Sequence, residues 1–147
     1  KPFSMVEDSI IGENVFIGPY GRIRPGTKIG DKSQIGNFVE IKNSNIGVGC
    51  QVNHLSFIGD ADIAKEVIVG AGTITCNHNG EKINRIIIDK GAYIGSGSNL
   101  VAPVKINANS TIGAGSTITN DTPKDTLTVA RSRQVTIKDW KRGRGQN

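Results

Sequence analysis

The sequence predicts an all-β protein that folds as a parallel β-helix assembled from six-residue repeats. Apolar residues recur every six positions in two unbroken series: Ile11, Ile17, Ile23, Ile29, Ile35 and Ile41, then Ile88, Ile94, Leu100, Ile106, Ile112 and Ile118. Glycine often follows the apolar residue, and the chain holds 19 glycines in 147 residues. Aromatic residues make up only 5% of the chain, which argues against a conventional β-sandwich core.

A period of six fits neither an α-helix nor an ordinary strand. Residues six apart are scattered around a helix of 3.6 residues per turn, and a strand requires apolar residues at every second position. A short flat strand followed by a tight turn, three times per coil, does give this period. The apolar residue then points inward on each side, and Gly, Asn and Asp supply the turn conformations. Because one coil cannot bury its own apolar face, the core forms between stacked coils about 4.8 Å apart.

The repeat is interrupted in ways that divide the chain. Its phase slips by one residue twice, between Ile41 and Ile46 and between Ile58 and Ile63. We predict a β-helix over residues 1–120, with an extruded loop at residues 77–87 where the six-residue step fails. Residues 121–147 leave the repeat and form a basic tail that contains Arg131, Arg133, Lys138, Lys141, Arg142 and Arg144.

Composition narrows the possible partners. The net charge of +5 favours anionic ligands but does not choose between nucleic acid, a membrane and a phosphorylated metabolite. Aromatic stacking platforms for nucleic acid are missing, and no apolar run approaches the length of a membrane span. The two cysteines favour a reduced setting, so we expect a cytoplasmic protein that binds neither membrane nor nucleic acid. The chain starts at Lys1 inside the repeat, which we interpret as a fragment that lacks its N-terminal part.

Two groups of residues are candidates for chemistry. His54 falls at a turn position near the surface, where an imidazole could act as a general base near pH 7; a solvated histidine without a role is the alternative. One coil of eighteen residues stacks Arg24 over Lys42, and stacked cations suit a phosphate, or a charged edge that discourages strand addition. No metal is expected, because the two histidines, His54 and His78, are not in ligand spacing.

Five segments carry a specific family resemblance: residues 17–25, 36–42, 54–60, 70–77 and 100–104. The hexapeptide pattern resembles the left-handed β-helix acyltransferases, and the resemblance supplies the handedness. The five segments look like the C-terminal acetyltransferase domain of the bacterial bifunctional enzyme glucosamine-1-phosphate N-acetyltransferase/N-acetylglucosamine-1-phosphate uridyltransferase. The resemblance runs from about Asp8 to Trp140 and implies that the N-terminal uridyltransferase domain is absent from this chain.

The resemblance implies an activity and a site. The reaction is acetyl transfer from acetyl-CoA to glucosamine-1-phosphate, for the synthesis of UDP-N-acetylglucosamine, peptidoglycan and lipopolysaccharide, in a homotrimer with sites between chains. His54 matches the general base, and Glu40 is a candidate for its support. The substrate-binding positions are Arg24, Lys42, Phe57, Ile68 and Asn77. The positions that contact acetyl-CoA are Ala71, Asn77, His78, Ser96, Ala114 and Arg131, with the tail completing the acetyl-CoA site.

Four residues depart from the family pattern and keep other functions open. The family usually has Tyr where this chain has Phe57, Asn where it has Ile68, Tyr where it has His78 and Lys where it has Ile83. Lys82 or Arg85 could replace the lost cation. The alternatives are a hexapeptide acyltransferase that acts on another amino sugar or nucleotide sugar, and a non-catalytic trimeric β-helix scaffold.

Overall fold

A computed structural model describes residues 1–143, so Arg144 of the predicted tail lies outside the described residues. The twenty strands of these residues form three sheets, and every pairing between strands is parallel. Residues 1–143 contain no helix, hence no helix that could cross a membrane. The predicted left-handed parallel β-helix with hexapeptide repeats is confirmed.

Each turn of the solenoid contributes one strand to each sheet. Sheet 1 contains β1 (Met5–Val6), β4 (Arg22–Ile23), β7 (Glu40–Lys42), β10 (Phe57–Gly59), β13 (Ile74–Cys76), β16 (Asn99–Val101) and β19 (Thr117–Ile118). Sheet 2 contains β2 (Ile10–Ile11), β5 (Lys28–Ile29), β8 (Asn45–Ile46), β11 (Ala61–Ile63), β14 (Ile86–Ile88) and β17 (Val104–Ile106). Sheet 3 contains β3 (Phe16–Ile17), β6 (Gln34–Asn37), β9 (Gln51–His54), β12 (Ile68–Val69), β15 (Tyr93–Ile94), β18 (Thr111–Ile112) and β20 (Leu127–Thr128).

Two corners of the coil matter for the site. At the 1/2 corner the chain passes from a strand of sheet 1 to the next strand of sheet 2, and at the 3/1 corner it passes from sheet 3 to sheet 1. Ile23 pairs with Ile41 eighteen residues later, whereas Ile46 pairs with Ile63 seventeen residues later. Both predicted phase slips therefore fall at the 1/2 corner, after β7 and after β10.

The inward-pointing apolar residues form one continuous core. Ile23, Ile41, Ile58 and Leu100 of sheet 1 are completely buried, and most of their counterparts on the other sheets are buried as well. Burial of each such side chain stabilises the fold by about 1.5–3 kcal/mol. Small hydroxyl residues are buried at the corners, where they bond to the backbone; the Ser56 hydroxyl, for example, donates to the His54 carbonyl at 2.8 Å.

The extruded loop is shorter than predicted. The segment between β13 and β14 covers residues 77–85, while Ile86 and Ile87 belong to β14. Ile86 is completely buried and pairs with Ala61. The six-residue step resumes only at Ile88. Because side chains alternate along a strand, the three-residue strand β14 also points Ile86 inward, which the six-residue step does not predict.

The solenoid also continues beyond the predicted boundary at residue 120. Thr122 bridges to Ile106, and β20 pairs with β18 in sheet 3. This last coil is two residues shorter than the eighteen-residue coils, since Thr111 pairs with Leu127. The residue that points inward in this coil is the buried, polar Thr122. The solenoid therefore continues by one coil after the apolar six-residue pattern has ended.

The 3/1 corner carries a column of residues with left-handed backbone conformation. Four of them are large and exposed apolar residues, which we call the corner ladder: Phe3, Tyr20, Phe38 and Leu55, with φ between 49° and 58°. Neighbouring rings in the ladder stack, with centroids 5.0 Å and 5.2 Å apart. Further along the column the same conformation belongs to Gly72, Gly97 and Gly115, so the apolar side chains end after Leu55.

Candidate active site

His54 lies at the end of β9, where sheet 3 turns into the 3/1 corner. Its imidazole is exposed and makes no hydrogen bond within residues 1–143, while its carbonyl oxygen accepts from the Gly72 amide at 3.2 Å. A cavity of about 430 Å³ opens beside it, lined in part by Pro19, Gly36 and Asn53. The side chain is therefore free to meet a ligand, as a general base must be.

On the coils after His54, small residues occupy the position that is equivalent to His54. Val52 pairs with Val69, Val69 with Ile94 and Ile94 with Ile112. The residues two positions after each of these, His54, Ala71, Ser96 and Ala114, therefore lie on successive coils, and we call these four residues the small-residue column. Within the described chain, the amides of Ala71, Ser96 and Ala114 donate no hydrogen bond.

Neighbouring coils approach each other closely along this column, where glycine precedes Ala71, Ser96 and Ala114. A Cβ atom at Gly70 would lie 2.5 Å from the Ser96 nitrogen, and one at Gly95 would lie 2.5 Å from the Ala114 nitrogen. The tail reaches the far end of the column, where the Arg131 guanidinium donates to the Ala114 carbonyl. Four of the six predicted acetyl-CoA positions, Ala71, Ser96, Ala114 and Arg131, therefore lie on one line that begins at His54. The other two, Asn77 and His78, follow β13 in the loop.

Arg24 and Lys42 occupy the same position on successive coils of sheet 1. Ile23 pairs with Ile41, so the next residue on each strand is level with the other, as the eighteen-residue spacing predicts. Both cations have a carboxylate partner. Arg24 Nη1 lies 2.9 Å from Glu40 Oε1, and Lys42 Nζ lies 3.7 Å from Asp60 Oδ2.

The histidine and the two cations lie at opposite edges of sheet 1. His54 is at the 3/1 corner. Lys42 is at the 1/2 corner, because it pairs with Gly59, which lies five residues after His54 in the chain. At about 3.3 Å per residue, these corners are separated by roughly 15 Å. The sequence placed these residues on adjacent coils, but the spacing along the chain did not show that they occupy different corners.

Asp60 is a residue of the 1/2 corner to which the sequence assigned no role. Its side chain is almost completely buried and accepts hydrogen bonds from the amides of Asn43, at 2.6 Å, and Asn77, at 2.5 Å. Burial raises the pKa of the Asp60 carboxyl, but these two hydrogen bonds and the charges of Lys42 and Arg85 outweigh it and hold that pKa below its usual value. The sequence feature that could have pointed to Asp60 is the adjacent Gly59 in the segment 54–60, because glycine marks a place where another part of the chain packs closely.

The loop at residues 77–85 is fixed at both ends. The Asn84 amide donates to the Asn77 carbonyl at 2.7 Å, and the Arg85 guanidinium donates to both carboxylate oxygens of Asp62 at 2.7 and 2.8 Å. This hydrogen bonding lowers the pKa of the Asp62 carboxyl against the effect of partial burial. Arg85 is thus engaged by Asp62, whereas the exposed Lys82 forms no ion pair within residues 1–143.

The four departures from the family pattern lie in three places. The Phe57 ring packs over Gly59, where a Cβ atom would lie 2.7 Å from both the ring and the Asn77 amide nitrogen. Ile68 is 40% exposed on sheet 3 between Gln51 and Tyr93. His78 and Ile83 bridge across the loop, and the His78 Nδ1 accepts from the Gly80 amide at 3.0 Å.

A metal site is not formed by the described part of the chain. Among residues 1–143, no three histidine, cysteine, aspartate or glutamate side chains group as a metal site requires.

Comparison with known proteins defines the class first. Residues 8–43 and 85–120 match the family model described as bacterial transferase hexapeptide (six repeats). The fold resembles a mutant of AntD, an N-acyltransferase from Bacillus cereus solved with dTDP and coenzyme A, with a TM-score of 0.74 at 18% identity over 91% of this chain and 83% of that chain. It also resembles the polySia-specific acetyltransferase NeuO, with a TM-score of 0.58 at 14% identity over 97% of this chain and 91% of that chain. At these identities the two structures show the fold alone, which is the fold of hexapeptide-repeat transferases.

The sequence matches then define the family. The chain is 55% identical over 141 residues to the bifunctional protein GlmU of Nitrosomonas eutropha, and 55% identical over 139 residues to that of Methylococcus capsulatus. These matches cover 96% and 95% of this chain but only 31% and 30% of the relatives, so the chain spans about a third of their length. The chain corresponds to the C-terminal acetyltransferase region of GlmU, as the sequence segments predicted.

Proposed function

We propose that this chain transfers the acetyl group of acetyl-CoA to the amine of glucosamine-1-phosphate, which gives N-acetylglucosamine-1-phosphate. The observation that carries the proposal is the small-residue column that begins at His54 and ends beside Arg131. A thin acyl-pantetheine arm can lie along Ala71, Ser96 and Ala114, whose free amides face no competing acceptor within the described residues. Arg131 would then meet the anionic end of the cofactor.

His54 supplies the base that this reaction needs. An ammonium group has no lone pair, so the acceptor reacts as the neutral amine, and its nitrogen must lose a further proton as it attacks the thioester carbonyl. The imidazole takes this proton while the new N–C bond forms and the C–S bond breaks, and the CoA sulfur leaves with its electron pair. General-base assistance of this kind is worth about 10²–10⁴-fold in rate.

The cations of sheet 1 bind the phosphate of the acceptor. Arg24 and Lys42 are half-buried, which reduces the screening of their charge by solvent. Glu40 lies in the same strand as Lys42 and holds Arg24 in place through the 2.9 Å ion pair. Phe57 and Asn77 form the wall between these cations and the loop, where they would contact the sugar.

The active form is a homotrimer with sites between neighbouring chains. Two observations support this part of the proposal: His54 and the cation pair lie at opposite edges of sheet 1, and the corner ladder exposes four large apolar residues beside His54. Closed three-fold symmetry suits a prism-shaped solenoid, because one corner of each prism can meet its copies at the axis. The whole protein would also carry a uridyltransferase domain and serve the synthesis of UDP-N-acetylglucosamine, peptidoglycan and lipopolysaccharide.

A different amine acceptor is the second candidate function. Phe57, Ile68, His78 and Ile83 place apolar or weakly basic groups where the family pattern has hydroxyl, amide or ammonium groups. The loss of the cation at Ile83 is the departure that bears most on a phosphorylated acceptor, and the exposed Lys82 is the neighbouring residue that could compensate.

The test measures free CoA released from acetyl-CoA with glucosamine-1-phosphate, for the wild type and for His54→Ala. We expect turnover by the wild type and a loss of about a hundredfold or more in the variant. Turnover only with other amino sugars or nucleotide sugars would support the second candidate. Absence of acetyl-CoA binding would contradict both enzymatic functions and leave the trimeric scaffold.

A further inference from the structure

We propose that Asp60 is a positioning residue that fixes Lys42 and the loop at residues 77–85 relative to each other, an inference that rests on the proposed acetyltransferase function. Asp60 lies at the 1/2 corner directly after β10 and does not face the open surface, since it is only 2% exposed. It acts through the residues that it holds and has no role as a direct contact of the acceptor.

The Asp60 carboxylate joins three parts of the chain. Its Oδ1 accepts from Asn43 at 2.6 Å, and its Oδ2 accepts from Asn77 at 2.5 Å and lies 3.7 Å from the Lys42 ammonium. One oxygen atom therefore faces both the phosphate-binding cation and the first residue of the loop. A neutral amide side chain has one acceptor oxygen in place of two, and it carries no full charge to attract the ammonium group.

The backbone of Asp60 holds the same two parts. Its amide donates to the Lys42 carbonyl at 3.0 Å, and its carbonyl accepts from the Ile86 amide, directly after the loop, at 3.1 Å. Asp60 thus contacts Lys42 and both ends of the loop. Any displacement of this residue would change the distance between the cation and the loop that walls the acceptor site.

The local conformation also restricts this position to few residue types. Asp60 has a φ of 52°, a left-handed conformation that Asn and Asp tolerate better than other residues with a Cβ atom. Asn can therefore replace Asp60 without a new backbone strain, while it removes the negative charge and one acceptor oxygen. This makes Asp60→Asn a test of the carboxylate itself.

The matched control is Asn43→Gly. Asn43 also donates to Asp60 and also has a positive φ, of 45°, which glycine accepts without strain. This variant removes one hydrogen bond from Asp60 but leaves Lys42 and Asn77 with their carboxylate partner. A purely structural role of the Asp60 cluster would make the two variants behave alike.

The first experiment compares steady-state kinetics of the wild type, Asp60→Asn and Asn43→Gly. We expect Asp60→Asn to raise the KM for glucosamine-1-phosphate about tenfold, since hydrogen bonds to a charged partner are lost, and to change the KM for acetyl-CoA less than about twofold. Asn43→Gly should change both KM values less than about twofold. An unchanged KM for the sugar phosphate in Asp60→Asn, or equal effects of the two variants, would overturn the proposal.

The second experiment does not depend on activity. Trypsin can cleave after Lys82 in the exposed loop, and the rate of this cleavage reports how firmly the loop is held. We expect faster cleavage in Asp60→Asn than in the wild type and in Asn43→Gly; equal rates in all three would overturn the positioning role. If the wild type acetylates no sugar phosphate, the proposed function fails, while the cleavage rates still decide whether Asp60 fixes the loop.

Discussion

His54 and Asp60 show two ways in which a single side chain enters the site. His54 is exposed and without a side-chain partner in the described residues, so its chemistry depends on what another molecule brings to it. Asp60 is buried and completely engaged, so it acts by holding others. Its rarity and turn position made the histidine a candidate, and the family resemblance singled it out. Aspartate at a turn is common, so Asp60 became a candidate only once its partners were known.

Asp62 predicts how stability responds to acid. Its pKa is lower in the folded protein than in the unfolded chain because Arg85 donates two hydrogen bonds to it. A group with a lowered folded pKa stabilises the fold above its unfolded pKa, about 3.9, and this contribution is lost as the pH falls through the folded value. We therefore expect the free energy of unfolding to fall less between about pH 6 and about pH 3 in Asp62→Asn than in the wild type.

Urea unfolding at a series of pH values measures this difference. Glu81→Gln is the control, because Glu81 is exposed in the loop and forms no ion pair in the part of the chain that the structure describes. It should lose as much stability in acid as the wild type. An equal acid loss in Asp62→Asn and the wild type would show that the Arg85 pair contributes nothing to the fold.

The 3/1 corner is an element in which packing and function share the same residues. Glycines such as Gly70 and Gly95 let successive coils approach closely, and Ala71 and Ser96, whose amides donate no hydrogen bond in the described residues, directly follow them. The same corner carries the apolar ladder, which ends at Leu55, directly after His54. The corner thus changes along the solenoid axis from a surface suited to other protein chains to one suited to a thin ligand.

Gly95→Ala tests how tightly this corner is packed. The added methyl group would lie 2.5 Å from the Ala114 nitrogen and from the Ile112 oxygen, both of which are backbone atoms that cannot rotate away. We expect a loss of about 1–3 kcal/mol in the free energy of unfolding, as for other overpacked sites. Denaturant unfolding measures it.

Gly143→Ala provides the comparison, since a Cβ atom there meets nothing within 4 Å. Its stability should stay within about 0.5 kcal/mol of the wild type. A Gly95→Ala protein as stable as Gly143→Ala would mean that the coils separate easily at this corner.

The three sheets of the described residues form a prism, and the candidate functional groups lie along one side and its two edges. Sheet 1 has His54 at one edge and Arg24, Lys42 and Asp60 at the other, roughly 15 Å apart at about 3.3 Å per residue. Assembly in which neighbouring prisms meet along the 3/1 corner would place a face of one chain against the site residues of the next.

Phe38→Asn tests assembly through the corner ladder. The ring is 54% exposed and adopts a φ of 53°, so Asn removes apolar surface and fits the backbone conformation at least as well. Because burial of a Phe side chain is worth about 1.5–3 kcal/mol, we expect association weaker by about tenfold or more with an unchanged fold. Sedimentation equilibrium measures the association and circular dichroism the fold.

Ile10→Thr is the control for this variant. Ile10 is 64% exposed in sheet 2, away from the 3/1 corner, so its replacement should leave the association unchanged. If Phe38→Asn associates as tightly as Ile10→Thr, the corner ladder is not the surface through which copies meet.

The amino-acid order alone determined the solenoid, because the six-residue step is a local rule that each coil repeats. The period placed Ile23, Ile41 and Ile58 in the core and set Arg24 level with Lys42, and the family resemblance singled out His54. Local rules lose their value where the register changes. Ile86 and Thr122 point inward although neither belongs to the apolar six-residue step. The step by itself therefore sets the wrong limits for the loop and for the last coil.

The tertiary structure decided which residues share a corner. Asp60 meets Asn43, Asn77 and Lys42 only because a coil shortened to seventeen residues and a loop seventeen residues further on converge at the 1/2 corner. Hydrogen bonds of this kind join residues distant in sequence, and their geometry depends on the path of every intervening residue. The six-residue repeat thus determined the scaffold, while its departures from regularity, visible only in three dimensions, set the positions of the functional groups.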